Sequence, residues 1–108
     1  ELRRPAEALA RYDAALAIAP DLPDAHFNRG AVLLDLGRWA EAVPALEMAL
    51  RLDPAAVHVH RVLAHALGQT GRVGEAIRHY ERYLAGQPDD AEARGELSRL
   101  REQHPRRP

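Results

Sequence analysis

Three prolines, Pro20, Pro54 and Pro88, stand 34 residues apart. The same step links Glu7, Glu41 and Glu75; Ala8, Ala42 and Ala76; Leu16, Leu50 and Leu84; and Arg4, Arg38 and Arg72. A constant period of this length marks a stacked repeat, in which each unit buries its apolar face against its neighbours. A globule of 108 residues buries only a modest core, whereas a stacked array needs nearest-neighbour packing alone. The period constrains the fold far more than the function.

Within one period the apolar residues follow helical spacing. The segment from Asp24 to Leu36 carries Phe27, Ala31 and Leu34 with Gly30 and Val32 between them, and Gly37 then offers a C-cap free of Cβ strain. Helix resumes from Trp39 to Leu52, with Ala42, Val43, Leu46, Ala49 and Leu50 on one stripe, until Asp53-Pro54 stops it. Pro44 lies early in this helix, where its missing N–H should loosen or slightly bend the first turns. Val57 to Thr70, Gly71, and Val73 to Ala85 repeat the pattern, with Gly86-Gln87-Pro88 ending it. Helices joined by so short a turn pack antiparallel, so each period is a helical hairpin.

The two ends read as half units. Pro5 to Ala19 is a second helix without its first, and Pro5 suits a first-turn position where its lost donor has no partner anyway. Ala91 to Gln103 is a first helix without its second. Its stripe of Ala93, Leu97 and Leu100 is set among charges, as a capping helix requires. Leu9, Tyr12 and Leu16 should find only part of their packing surface. The expectation is a trimmed chain, or a second copy covering this helix in a homodimer.

Composition removes several classes of function. There is no cysteine, hence no disulfide framework and no thiol chemistry. A formal net charge of −1 gives no field for gathering nucleic acid or an anionic membrane, and no apolar run is long enough to span a bilayer. No lysine is present, and abundant Ala, Arg, Gly and Pro point to a GC-rich coding sequence and a bacterial source. The chain opens with Glu1 and shows no targeting segment, so compartment is left open with the cytoplasm as default.

The pattern Gly30, Leu33, Gly37, Ala42, Leu46, Ala49, Leu50, Pro54 in one unit resembles the tetratricopeptide repeat family. So does Leu63, Ala64, Leu67, Gly71, Ala76, Tyr80, Leu84, Pro88 in the next. The resemblance covers residues 1 to about 103 and implies an all-α, right-handed α-solenoid of antiparallel helical hairpins. It divides the chain into the second helix of a truncated repeat (1–22), two complete repeats (23–56 and 57–90), a capping helix (91–103) and a disordered tail (104–108). Tyr83 departs from the small residue at Ala15 and Ala49, and Arg29 from the apolar residue at Leu63 and Leu97. The run His26-Phe27-Asn28-Arg29-Gly30 is similar to bacterial repeats and to those attached to O-linked N-acetylglucosamine transferases.

The resemblance also implies a concave groove lined by the first helix of each hairpin, holding an extended peptide or a partner helix. Matching positions are Asp24, Phe27, Asn28, Ala31 and Asp35, then His58, Arg61, Val62, His65 and Gln69, with Glu92 and Arg99 added by the cap. Helical spacing independently puts 24, 28, 31 and 35 on one face, and 58, 61, 65 and 69 on another. Asn28 carries a donor and an acceptor able to pair with a peptide backbone, as the asparagine ladders of the glycosyltransferase repeats do. No ladder continues, because its equivalents are Val62 and Glu96, and the plain alternative is an ordinary polar helix position. Arg61, flanked by His58 and His65, can receive a carboxylate through its planar fork, against the plain alternative of a solvated face. The lysine–asparagine clamp of the chaperone-binding members is missing.

Other chemistries lack a constellation. His58 and His65 share a face but lie about 10 Å apart along the axis, His60 points elsewhere, and no carboxylate completes a zinc set, so no metal or other cofactor is expected. Tyr12, Trp39, Tyr80 and Tyr83 read as packing residues without a basic stripe beside them. No phosphate loop, nucleophile motif or carboxylate pair is legible. The sequence thus predicts a non-catalytic protein–protein interaction scaffold. An accessory or oligomerisation module of a larger enzyme, such as a glycosyltransferase, is the alternative.

Overall fold

The computed structural model describes residues 3–104. They form α1 (Arg3–Ile18), α2 (Pro23–Asp35), α3 (Trp39–Leu52), α4 (Val57–Gln69), α5 (Val73–Gly86) and α6 (Ala91–Gln103), with no strand among the described residues. Of the tail expected to be disordered, only His104 is described, as the C-cap of α6; 105–108 lie outside the described residues.

The repeated prolines and glycines have separate tasks. Asp53 and Gln87, each preceding a proline, take φ/ψ of −140°/82° and −135°/66°. A following proline disfavours helical ψ in this way, and α3 and α5 stop there. Gly37 and Gly71 adopt φ of 74° and 85°. Around them Arg38 N–H donates to the Leu33 carbonyl and Gly37 N–H to Leu34; Arg72 N–H donates to Leu67 and Gly71 N–H to Gly68. Each turn is therefore a Schellman cap, satisfying the last carbonyls of one helix while reversing the chain. Pro44 does not interrupt α3, and Ala40, whose carbonyl loses its usual donor four residues on, is exposed.

The periodic arginines and glutamates also acquire a cause. Arg38, the N-cap of α3, grips Glu41 through two hydrogen bonds of 2.6 and 2.8 Å, and Arg72 grips Glu75 at the start of α5 through bonds of 2.9 and 2.7 Å. A carboxylate in the first turn also suits the positive end of the helix dipole. Hydrogen bonding to the guanidinium holds both glutamates below their ordinary carboxyl range. These pairs are exposed, so they contribute little stability and chiefly orient the entry to the helix.

Each helix packs on its chain neighbours, and α2 also touches α4. This gives an inner layer of α2, α4 and α6 and an outer layer of α1, α3 and α5. The molecule measures 49 × 29 × 25 Å, the elongated form of a hairpin solenoid. Its core is one continuous seam containing Leu33, Leu46, Leu63 and Leu67, all closed to solvent, with no buried polar residue among those described. Full burial of each such side chain is worth roughly 1.5–3 kcal/mol. At Gly30 a Cβ would lie 2.7 Å from Leu46 Cγ and Cδ2, so only glycine lets α3 come this close to α2.

The run from His26 to Gly30 is shared among these tasks. The His26 ring N–H donates to the Pro20 carbonyl at 2.8 Å, tying α2 to the preceding turn. Arg29, placed where an apolar residue is more usual, reaches back to Asp13 of α1 at 2.6 Å. That ion pair joins α1 to the first hairpin. On α1, Leu9 is buried, Tyr12 and Leu16 are half-buried, and Ile18 is 86 % exposed.

Candidate functional site

The inner layer carries the residues singled out by sequence. On α2, Asp24 and Asp35 are exposed, while Phe27, Asn28 and Ala31 are half-buried. The Phe27 ring meets His58 of α4 edge-on, with centroids 4.9 Å apart and planes at 79°. This contact joins α2 and α4 across the face. The Asn28 amide forms no hydrogen bond with another described side chain or backbone group.

Between α4 and α6 the layer opens. A pocket of about 220 Å³ is lined by Leu34, Arg61, Val62, His65, Tyr80, Glu92, Ala93 and Glu96. A second hollow of about 220 Å³ adjoins it, sharing His65, Tyr80 and Glu96 and adding Gln69 and Arg99. The structure thus gathers Arg61, Val62, His65, Gln69, Glu92 and Arg99 around one opening. Asp24, Asn28, Ala31 and Asp35 lie along α2 and line neither hollow; Leu34 represents α2 there.

Arg61 is already engaged. Its guanidinium lies 3.6 Å from Asp90 and 3.4 Å from Glu92. Asp90 in turn accepts the Tyr83 hydroxyl at 2.6 Å and, as N-cap of α6, the Ala93 amide at 3.0 Å. These two hydrogen bonds, the tyrosine's first, hold the Asp90 carboxyl below its ordinary value. The bulky Tyr83 therefore replaces the usual small residue in order to reach across the α5–α6 turn. In the sequence Tyr83 reads as a packing residue, and the one local signal at Asp90 is that an aspartate just before a helical stripe suits an N-cap.

Tyr80 likewise reads as a packing residue in the sequence. Its ring is buried, with only 4 % of the residue exposed, yet it lines both hollows. Its phenol pKa is pushed up to about 12 by burial and then by Glu96. Sequence held one signal for it, since Tyr80 takes the place of Leu46 one period earlier.

On the opposite side of α4, His60 stacks on His79 of α5, with ring centroids 5.1 Å apart and the two Nδ1 atoms 2.9 Å apart. Burial lowers the pKa of both rings. Among the described residues no group of three or more His, Cys, Asp or Glu is arranged to hold a metal, and no helix is long and apolar enough to cross a membrane.

Comparison with known proteins agrees with this architecture. Two tetratricopeptide repeat models match residues 33–100 and 1–57. The TPR repeat-containing thioredoxin TTL4 of Arabidopsis thaliana is 40% identical over 88 residues, which is 81% of this chain and 13% of that protein. The DnaJ homolog subfamily C member 3 of Mus musculus is 31% identical over 97 residues, 88% of this chain and 19% of its own. The chain thus spans less than a fifth of either relative. Among solved structures, the first TPR of Spaghetti (RPAP3) bound to the HSP90 peptide SRMEEVD superposes with a TM-score of 0.87 at 24% identity. That match covers 93% of this chain and 79% of the other. YrrB, described as a TPR protein with an unusual peptide-binding site, superposes with a TM-score of 0.89 at 23% identity, covering 96% and 54%. With the 34-residue period, the Schellman-capped hairpins and a family match over more than half its length, the chain belongs to the tetratricopeptide repeat family.

Proposed function

We propose that the chain is a non-catalytic protein–protein interaction scaffold that holds a partner peptide or helix along α2, α4 and α6. One observation carries this reading. The core seam is closed, yet the inner layer opens between α4 and α6, and elsewhere on that layer α2 carries the half-buried Asn28 amide with no internal partner. Asn28 supplies paired donor and acceptor capacity to a peptide backbone. Phe27 and Val62 supply apolar contact, and Arg61 keeps donors beyond those facing Asp90 and Glu92. Peptide binding by family neighbours supports the same use of the face. Affinity is modest, because few pockets contribute. The unit boundaries at 22/23, 56/57 and 90/91 belong to this reading.

The test is capture of a partner by residues 1–108, run beside an Asn28→Ala/Arg61→Ala variant of confirmed helicity. Capture by the parent and loss by the variant is expected. Equal capture by both would remove the groove from the account.

A second reading, an accessory or oligomerisation module of a larger enzyme, has its own observation. Ile18 at the end of α1 is 86 % exposed and Leu22, the N-cap of α2, is 42 % exposed, an apolar edge that a second copy can cover. The resemblance of residues 26–30 to bacterial and glycosyltransferase-attached repeats belongs with it. Sedimentation of the chain as a dimer, abolished by Ile18→Asp, would favour this reading.

A further inference from the structure

Tyr80 poses an unanswered chemical question at the floor of the groove. The residue is 96 % buried, yet its hydroxyl makes no hydrogen bond to any described residue. No sealed side-chain oxygen among the described residues lacks a partner, so this hydroxyl reaches the open volume that Tyr80 lines. A phenol held there without a protein partner hydrogen-bonds water, or a group that displaces it. Burial and the nearby Glu96 keep it protonated, with a pKa of about 12. Its oxygen can therefore accept from a cation while its proton is given to a carboxylate or a peptide carbonyl.

The charges around the opening define the cation's surroundings. Glu92 and Glu96 line it beside the guanidiniums of Arg61 and Arg99, and Asp90, outside the lining, lies 3.6 Å from the Arg61 guanidinium. Glu92 and Glu96 are on the rim, with side chains 77 % and 39 % exposed, and each keeps lone pairs beyond its single arginine contact. Asp24 and Asp35 continue the same sign along α2. The apolar wall of Leu34, Val62 and Ala93 then suits a methylene stem. An incoming carboxylate would have to displace Asp90 and Glu92 from Arg61 and sit among their charges.

Resting on the groove reading above, we propose that the Tyr80-floored pocket receives a lysine or arginine side chain of the bound peptide. The stem lies on Val62 and Leu34, the head is held by Glu92 and Glu96, and the Tyr80 oxygen accepts one of its N–H groups. The groove accordingly selects basic segments.

A random peptide library displayed on phage, selected against residues 1–108, tests this. Selected peptides should carry Lys or Arg at one recurrent position. Tyr80→Phe, which keeps the buried ring, should weaken a selected peptide about tenfold or more, the worth of one hydrogen bond to a charged group. Glu96→Gln should weaken it similarly. Neither variant should change the affinity of the same peptide with that Lys or Arg replaced by Met, which has no side-chain N–H to give. Peptides with an acidic or unconstrained residue at that position, or affinity unmoved by both Tyr80→Phe and Glu96→Gln, would overturn the inference and leave the groove reading standing. Peptides that bind the Asn28→Ala/Arg61→Ala variant equally well, or failure to select any, would overturn both.

Discussion

The two complete hairpins share a backbone and differ where their side chains meet. In the α2–α3 hairpin the step of 34 residues begins with Gly30, Leu46, Ala49 and Ala56; in the α4–α5 hairpin it returns as Ala64, Tyr80, Tyr83 and Asp90. Gly30 makes room for Leu46, and the first seam is closed and wholly apolar. In the second, Tyr83 and Asp90 build a polar tie from α5 to α6, Arg61 faces it from α4, and Tyr80 carries a hydroxyl to the groove. The difference teaches that the period specifies the scaffold, while departures from it mark where polar chemistry is placed. An N-cap makes the point in small. Ala56 and Asp90 have nearly the same dihedrals, −78°/83° and −76°/95°, yet only Asp90 caps its helix with its side chain.

The comparison breaks most severely at Leu46. Leu46→Ala removes a fully closed side chain packed on Gly30 and should cost about 3 kcal/mol, read by chemical denaturation. A loss under about 1 kcal/mol would mean the first seam is not the close-packed one described. The next effect exchanges the caps. Asp90→Ala should destabilise by about 1–2 kcal/mol, since it removes the cap of α6 and the acceptor of Tyr83. Ala56→Asp should stabilise α4 by about 0.5–1 kcal/mol, because the backbone already has the capping conformation. Equal and opposite changes would contradict the claim that Asp90 does more than cap.

The smallest effect is a pH dependence confined to the second hairpin. Burial lowers the folded-state pKa of His60 and His79 below the ordinary 6.5, so the unfolded chain takes up their protons first. Stability is then full above about pH 7.5 and falls as pH descends through 6.5 toward the lowered values. The charged groups bearing on the pair are Glu47 of α3 and Glu75, Arg78 and Arg82 of α5. The arginines reinforce the effect and the glutamates oppose it. Melting should occur about 2 °C lower at pH 5.5 than at pH 7.5, and His79→Gln should flatten that slope. An unchanged slope in His79→Gln would remove the pair as its cause. Asp90 acts in a separate window, since its stabilisation is present above its ordinary 3.8 and is lost as pH falls through its lowered value.

How far these features were legible follows from their range along the chain. Helix ends announced themselves through prolines that forbid helical ψ and glycines that accept positive φ, which are local properties. The all-α hairpin solenoid followed from those signals repeated at one step. The inner-face residues were legible as a helical stripe, but which of them surround an opening depends on the spacing of α4 from α6. The Tyr83–Asp90 bond spans the turn between α5 and α6, and His60 meets His79 only through the antiparallel register of α4 and α5. Spacing within one helix carries no such register. Tyr80 was hidden for another reason. Its ring does pack, as expected of an aromatic at helical spacing, and only its hydroxyl departs from that role.

The central claim is that the inner layer is the recognition surface. The most direct measurement is an amide chemical-shift map of residues 1–108 titrated with a phage-selected peptide. The account predicts perturbations concentrated on α2, α4 and α6, including Asn28, Arg61, Val62 and Glu96, with the outer faces of α1, α3 and α5 unmoved. Perturbations centred on Ile18 and Leu22, in the turn from α1 to α2, with the inner layer silent, would contradict it.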